Sequence, residues 1–126
     1  MKVKVNDATL IQLNWMVAKC DIKRAVLHDD GITRCIMLET AKGLYAGRFN
    51  PSTDWAQGGP IIEREGIKIH KGNDLYFPKG NEKSDYYEPL WVAGKQHGQT
   101  PLIAAMRCYV ASKLGDTVEL PQDLIN

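Results

Sequence analysis

Apolar residues recur along two stretches of the chain at the spacing of a helix with one buried face. Between Asp7 and Lys19, Leu10, Leu13, Trp15, Met16 and Val17 form a broad apolar face, and Asp7 can cap the first turn, so a helix is predicted over 7–19. The same spacing returns in Leu102, Ile103, Met106, Tyr109, Val110 and Leu114. There Thr100 stands at the cap, Pro101 in the first turn and Gly115 just past the end, which makes this the best-marked helix of the chain. Between the two lie shorter patterns. Ile32 to Glu39 reads as a strand after the turn Asp29-Asp30-Gly31, and Leu44 to Phe49 reads as its hairpin partner across Ala41-Lys42-Gly43. Ile67 to His70, Leu90 to Ala93 and Val118 to Leu120 are further short strand patterns, and Gly94 to Gln99 reads as a loop. Lys71 to Glu88 is turn-rich, with apolar points at Leu75-Tyr76-Phe77 and Tyr86-Tyr87.

One stretch has neither period. Asn50-Pro51-Ser52-Thr53-Asp54-Trp55-Ala56-Gln57-Gly58-Gly59-Pro60 reads as a long polar, glycine-rich loop. Pro60 is expected to open a short helix through Glu65, with Gly66 ending it. The resulting expectation is an α+β fold, a small and mostly antiparallel sheet packed with two main helices and a short third, in one domain over 1–126.

The glycine-rich stretch is also the candidate site. Gly58 and Gly59 would let backbone N–H groups approach a ligand, beside the positive end of a helix starting at Pro60, an arrangement suited to phosphate or carboxylate. Trp55 offers a stacking face, while Asn50, Ser52, Thr53, Asp54 and Gln57 supply donors and acceptors. Arg48 or Arg64 could neutralise a phosphate. Trp91, Tyr86, Tyr87, Tyr45 and Phe49 could complete an aromatic pocket. A purely structural reading stands beside this one: Thr53 and Asp54 cap a turn, Trp55 plugs the core and the glycines relieve strain.

Composition narrows the chemistry. A formal net charge of +1 gives no global pull toward nucleic acid, and no basic stripe interleaved with aromatics is visible. Apolar runs fall far short of the roughly 20 residues of a membrane span, and the N-terminus has no secretory pattern. Cys20, Cys35 and Cys108 form no close pair, and His28, His70 and His97 are scattered, so neither a disulfide framework nor a metal site is expected. Reduced thiols in a cytoplasm are the expected state. Cys108 reads as a packing residue rather than a nucleophile. No hydrolase or nucleotide-binding motif of known spacing is present. Glu63, Glu65 and His70 are close enough in sequence to suggest acid–base work, although charges on a short surface helix more often form a solvated face.

Two segments carry a family resemblance. Ser52-Thr53-Asp54-Trp55-Ala56-Gln57-Gly58-Gly59-Pro60-Ile61-Ile62-Glu63-Arg64-Glu65-Gly66-Ile67 resembles a signature of the NinX-like family of phage and prophage proteins. So does Thr100-Pro101-Leu102-Ile103-Ala104-Ala105-Met106-Arg107-Cys108-Tyr109-Val110-Ala111-Ser112-Lys113-Leu114-Gly115-Asp116, and Leu13 to Lys19 looks like the family's N-terminal helix. Cys20 to Tyr45 matches least. The resemblance implies a small protein of the host bacterial cytoplasm and no established enzyme activity. Its phage setting suggests a role against host defence, one strategy for which is to sequester nucleotide-derived signals.

The leading expectation is therefore a sponge without catalytic residues or cofactor. It would bind a nucleotide-derived, ADP-ribose-like molecule through Arg48, Asn50, Thr53, Asp54, Trp55, Gln57, Gly58, Gly59 and Trp91. A homo-oligomer is expected, because small ligand-binding proteins often build sites between subunits. The alternatives are a host-protein interaction module anchored by Tyr86, Tyr87 and Trp91, and a hydrolase of a phosphorylated signal with Glu63 or His70 as base.

Overall fold

The structure, a computed structural model, describes residues 1–43, 45–72 and 91–125, with residues 45 and 46 as backbone only. The apolar points at Leu75-Tyr76-Phe77 and Tyr86-Tyr87 and the side chain of Tyr45 lie outside the described residues. In chain order come β1 (Lys2–Lys4), α1 (Leu10–Cys20), β2 (Ala25–Asp29), β3 (Arg34–Glu39) and β4 (Tyr45–Arg48). There follow α2 (Trp55–Glu65), β5 (His70–Lys71), β6 (Trp91–Ala93), β7 (Gln96–Gly98), α3 (Pro101–Leu114) and β8 (Thr117–Glu119). The fold is α+β, and every described strand pairing is antiparallel. The strands are divided among three small sheets, β1–β8, β2–β3–β4 and β5–β6–β7, rather than gathered into one.

The helix starts follow their caps. At α1 the cap is Thr9, not Asp7: Gln12 N donates to Thr9 Oγ1 at 3.3 Å and Thr9 N to Gln12 Oε1 at 3.0 Å, a reciprocal capping box. Asp7 instead closes a single 3₁₀ turn, Val5–Asp7. The start of α3 is the expected one, with Ile103 N donating to Thr100 Oγ1 at 3.1 Å and Pro101 in the first turn.

The short third helix needs the largest correction. It begins at Trp55, five residues before Pro60, and at 11 residues equals α1 in length. Asp54 is its cap, accepting from Ala56 N at 2.9 Å. Gly58, Gly59 and Pro60 are thus interior residues. Pro60 sits one residue past the first turn and a half, where the carbonyl it leaves without a donor belongs to Ala56, near the helix start. The end is as expected, with Gly66 in the left-handed region at φ 64°.

The strands shift as well. Ala25–Asp29, to which no element was assigned from sequence, pairs with Arg34–Glu39 around the Asp-Asp-Gly turn. Ile32 lies in that turn, where Asp30 Oδ1 accepts from Ile32 N at 2.9 Å and Thr33 N at 2.6 Å. The expected strand Ile67 to His70 is reduced to His70–Lys71, and the expected loop 94–99 contains β7, which returns along β6 through Gly94-Lys95.

The core forms where α1 and α3 meet the β2–β3–β4 sheet and α2. Leu13, Met16 and Val17 of α1 are fully buried, as are Met106 and Val110 of α3. Ile36, Phe49, Ile61, Val118, Leu120 and Leu124 join them in one cluster. Two polar side chains are buried with α1 and both find partners, Gln12 on Leu124 O and Asn14 on Ser52.

Candidate functional site

The segment from β4 into α2 is held by three side chains. Asn14 Oδ1 accepts from Ser52 N at 3.1 Å and from Ser52 Oγ at 2.5 Å, fixing the buried Pro51-Ser52 corner to α1. Gln57 reaches back from α2, accepting from Asn50 N at 2.7 Å and donating to Arg48 O at 2.9 Å. Asp54 N and Thr53 N both donate to Asn50 O, so the turn closes on itself before the helix begins. The side chains of Thr53, Asp54 and Gln57, expected as ligand contacts, thus serve the chain's own backbone in this structure, and Asn50 takes part through its backbone N and O.

The expected Gly-Gly phosphate cradle has a different geometry. Gly58 N donates to Asp54 O at 2.9 Å as a helical amide. Gly58 itself is buried, and a side-chain Cβ there would stand 2.3 Å from Pro51 O and 2.5 Å from Leu102 Cδ1. Its missing side chain lets α2 approach the Pro51 corner and α3. At Gly59 the nearest atom to such a Cβ would be Trp55 Cε3, at 4.0 Å. Trp55 is 56% exposed, so it neither plugs the core nor lines an enclosed pocket. Trp91 lies in β6, opposite Gly98, in a different sheet from Arg48.

What the structure does bring together is a groove of about 340 Å³ between α2, the end of α1 and strands β3 and β4. Of the expected residues it takes in Arg48, Gln57 and Arg64, with Phe49 from the aromatic set, and it adds Asp21 and Lys23. With 3.6 residues per turn, the nine-residue step from Trp55 to Arg64 is about two and a half turns. Trp55 therefore stands on the face of α2 turned away from the groove.

One wall of the groove is a linked polar cluster. Tyr109 Oη donates to Asp21 Oδ1, and Arg64 Nη2 donates to Tyr109 Oη at 3.0 Å and lies 3.2 Å from Asp21 Oδ1. Arg64 Nε also holds Glu65 at 2.9 Å, and Lys113 Nζ lies 3.4 Å from the same carboxylate. The Glu65 hydrogen bond raises the Arg64 pKa, and the same contact lowers that of Glu65. Burial first, then the bond to Asp21, pushes the Tyr109 phenol well above its ordinary range. Asp21 is thereby matched by Arg64. Lys23 and Arg48 have no ion-pair partner among the described residues, and Lys23 Nζ stands 6.0 Å from the centre of the Phe49 ring. Among the described residues, the groove thus has two cations without an ion-pair partner, over an aromatic floor.

Asp21 and Lys23 could not be read from the sequence, because they lie just beyond α1 where no period or motif marks them. Tyr109 was visible only as part of the apolar face of α3. No contact among the described residues joins Glu63 to His70, and both side chains are exposed. The thiol of Cys20 is pushed up to about 12, chiefly by burial, and burial raises that of Cys108 as well, which disfavours thiolate formation at both. Among the described residues no group of three or more His, Cys, Asp or Glu side chains could hold a metal ion.

Fold and site together define a small α+β protein with a cation-rimmed groove at the junction of its first and second helices with a three-stranded sheet. The family described as "Bacteriophage P22, NinX" matches residues 4–113. The chain belongs to this NinX family of phage proteins. No curated protein matches it. No described helix is long and apolar enough to cross a membrane.

Proposed function

We propose that the protein binds, without catalysis, a small nucleotide-derived ligand of the ADP-ribose type in the Arg48 groove, and withholds it from a defence of the host cell in whose cytoplasm it acts. The observation that carries this reading is the pair of cations Lys23 and Arg48, which have no ion-pair partner among the described residues and face one groove over Phe49. A diphosphate brings two negative charges to two positive ones, and the volume of about 340 Å³ lies within the range of small-molecule sites. Phage membership supports the defence setting. Relative to the sequence reading, the anion site moves from the Gly58-Gly59 amides, of which Gly58's is bonded to Asp54 O, to side chains across the groove.

Titration calorimetry with ADP-ribose tests this. A hydrogen bond to a charged group contributes about 1.5–3 kcal/mol, so Arg48→Ala and Lys23→Ala should each weaken binding by roughly 10- to 150-fold. Chromatography of the denatured complex should return ADP-ribose intact. Absence of binding, binding indifferent to both substitutions, or recovery of a cleaved product would each reject the proposal.

A further inference from the structure

Where the β1–β8 pair meets the β6–β7 hairpin, the chain buries a primary amide and gives it nothing to bond. Gln96, the first residue of β7, is only 6% exposed, yet its side chain makes no hydrogen bond among the described residues. The other buried polar side chains, those of Gln12, Asn14 and Ser52, are all bonded. Among the described residues the polar side-chain atom that is both sealed from solvent and unbonded is Arg107 Nε, not either atom of this amide. The amide of Gln96 therefore reaches open space.

That space is a pocket of about 270 Å³, lined by Gln96 with Lys4, Asn6, Lys95, Asp116 and Thr117. Backbone contacts fix its walls. Lys4 stands opposite Thr117 in the β1–β8 ladder, and Val5 N donates to Asp116 O at 2.9 Å. His97 N donates to Asn6 Oδ1 at 3.2 Å, which ties the hairpin to the turn after β1 and leaves Asn6 Nδ2 as a donor. Lys95 occupies the two-residue turn between β6 and β7. Lys4, Lys95 and Asp116 have no ion-pair partner among the described residues. The pocket thus combines two ammonium groups, one carboxylate and two amides.

We infer that this pocket binds a free acidic amino acid, whose two carboxylates and one ammonium are the inverse of its charges. The carboxylates meet Lys4 and Lys95, and the ammonium meets Asp116. The Gln96 amide, which both donates and accepts, bonds the ligand at the floor. A water molecule would satisfy that amide alone; the charged rim is what selects a ligand. The cavity falls just below the roughly 300–1,000 Å³ of drug-sized sites, which suits a ligand of amino-acid size. It shares no residue with the Arg48 groove, so the two sites stand or fall separately.

Titration calorimetry of the whole chain with L-glutamate and L-aspartate tests the inference, with glutarate, which lacks the ammonium, and L-glutamine, which lacks one carboxylate, as comparisons. One of the two acidic amino acids is expected to bind saturably, and its comparisons at least tenfold more weakly, the share of one charge-assisted hydrogen bond. Gln96→Leu, of similar size, and Lys95→Ala, in an exposed turn, should each weaken binding at least tenfold in protein that remains folded by circular dichroism. Asp116→Asn should remove the preference for glutamate over glutarate. If Gln96→Leu fails to fold, Lys95→Ala and Asp116→Asn decide the matter. No saturable binding of either amino acid, equal binding of glutarate and glutamate, or binding indifferent to Lys95→Ala overturns the inference.

Discussion

The adjacent glycines of α2 respond oppositely to the same substitution if the helix begins at Trp55. In a helix interior, replacing glycine by alanine stabilises by about 0.5–1 kcal/mol through reduced freedom of the unfolded chain. At Gly59 nothing opposes this gain, because the new Cβ would find only the edge of the Trp55 ring, at 4.0 Å. At Gly58 the new Cβ would lie 2.3 Å from Pro51 O, a backbone atom fixed by the Asn14–Ser52 hydrogen bonds, and 2.5 Å from Leu102 Cδ1. Leu102 can rotate, but the Pro51 carbonyl cannot withdraw without breaking the corner. The helix must therefore move outward by about an ångström, and overpacking of this kind costs about 1–3 kcal/mol or somewhat more. With the propensity gain deducted, Gly58→Ala should destabilise by up to about 2.5 kcal/mol, and Gly59→Ala should stabilise by up to about 1 kcal/mol. Urea unfolding monitored by circular dichroism, with both variants compared at equal concentration, resolves shifts of this size. Two variants moving in the same direction would refute the close approach of α2 to Pro51. Loss of stability at both would point back to a helix starting at Pro60, with the glycines in the loop before it.

Other expected outcomes follow from the same contacts. Asn14→Ala leaves the buried Ser52 N–H and hydroxyl without their acceptor and should cost about 1–3 kcal/mol in urea unfolding, whereas an unchanged midpoint would mean that water reaches the corner. Trp55→Ala should change stability by less than about 1 kcal/mol, since the side chain is more than half exposed, and should leave ADP-ribose binding intact; a loss of affinity would place the ligand on the outer face of α2. The phenol of Tyr109 is held above its ordinary range, so the folded state keeps its proton more tightly than the unfolded chain. That contribution is complete below about pH 10 and is lost as the pH rises from there toward the folded-state value. Tyr109→Phe should therefore flatten the alkaline fall in stability, and identical alkaline profiles for the two proteins would contradict the burial and the Asp21 hydrogen bond that together hold the phenol up.

Legibility from sequence tracked the range of the interactions that decide each element. The start of α3 was readable because Thr100, Pro101 and Gly115 act within a few residues of it. The same local logic misplaced α2. Pro60 is well suited to a helix start, but Asp54 was already available as a cap, and the Gly58–Leu102 contact that favours a helix through the glycines comes from α3. β7 escaped notice because Gln96-His97-Gly98 has no apolar alternation, and its place is set by packing on α3. At the site, the sequence yielded Arg48, Gln57 and Arg64 but tied them to a loop. Which cations share a groove depends on the path of the chain after α1, where Asp21 and Lys23 approach β4 and α2 from the other side. The family resemblance identified the segments of α2 and α3 without conveying that their contact is what the glycine serves.

The pairing of β1 with β8 constrains the order in which the protein can take shape. Lys2 sits opposite Glu119, and Val5 N donates to Asp116 O at 2.9 Å, so β1 has no partner until residues 117–119 have been made. At roughly 5–20 residues per second, synthesis leaves β1 waiting for about 6–25 s. The sheet it joins therefore cannot act as a nucleus, and the early work of folding falls to α1 and the adjacent β2–β3 hairpin, whose partners are near in sequence. A waiting strand is an invitation to wrong pairing, and here its two outer positions are lysines, Lys2 and Lys4, both exposed in the finished fold. Those charges protect the nascent chain more than the mature one, so replacing them with apolar residues should lower the yield of soluble protein in cells more than it changes the melting temperature of the protein that survives.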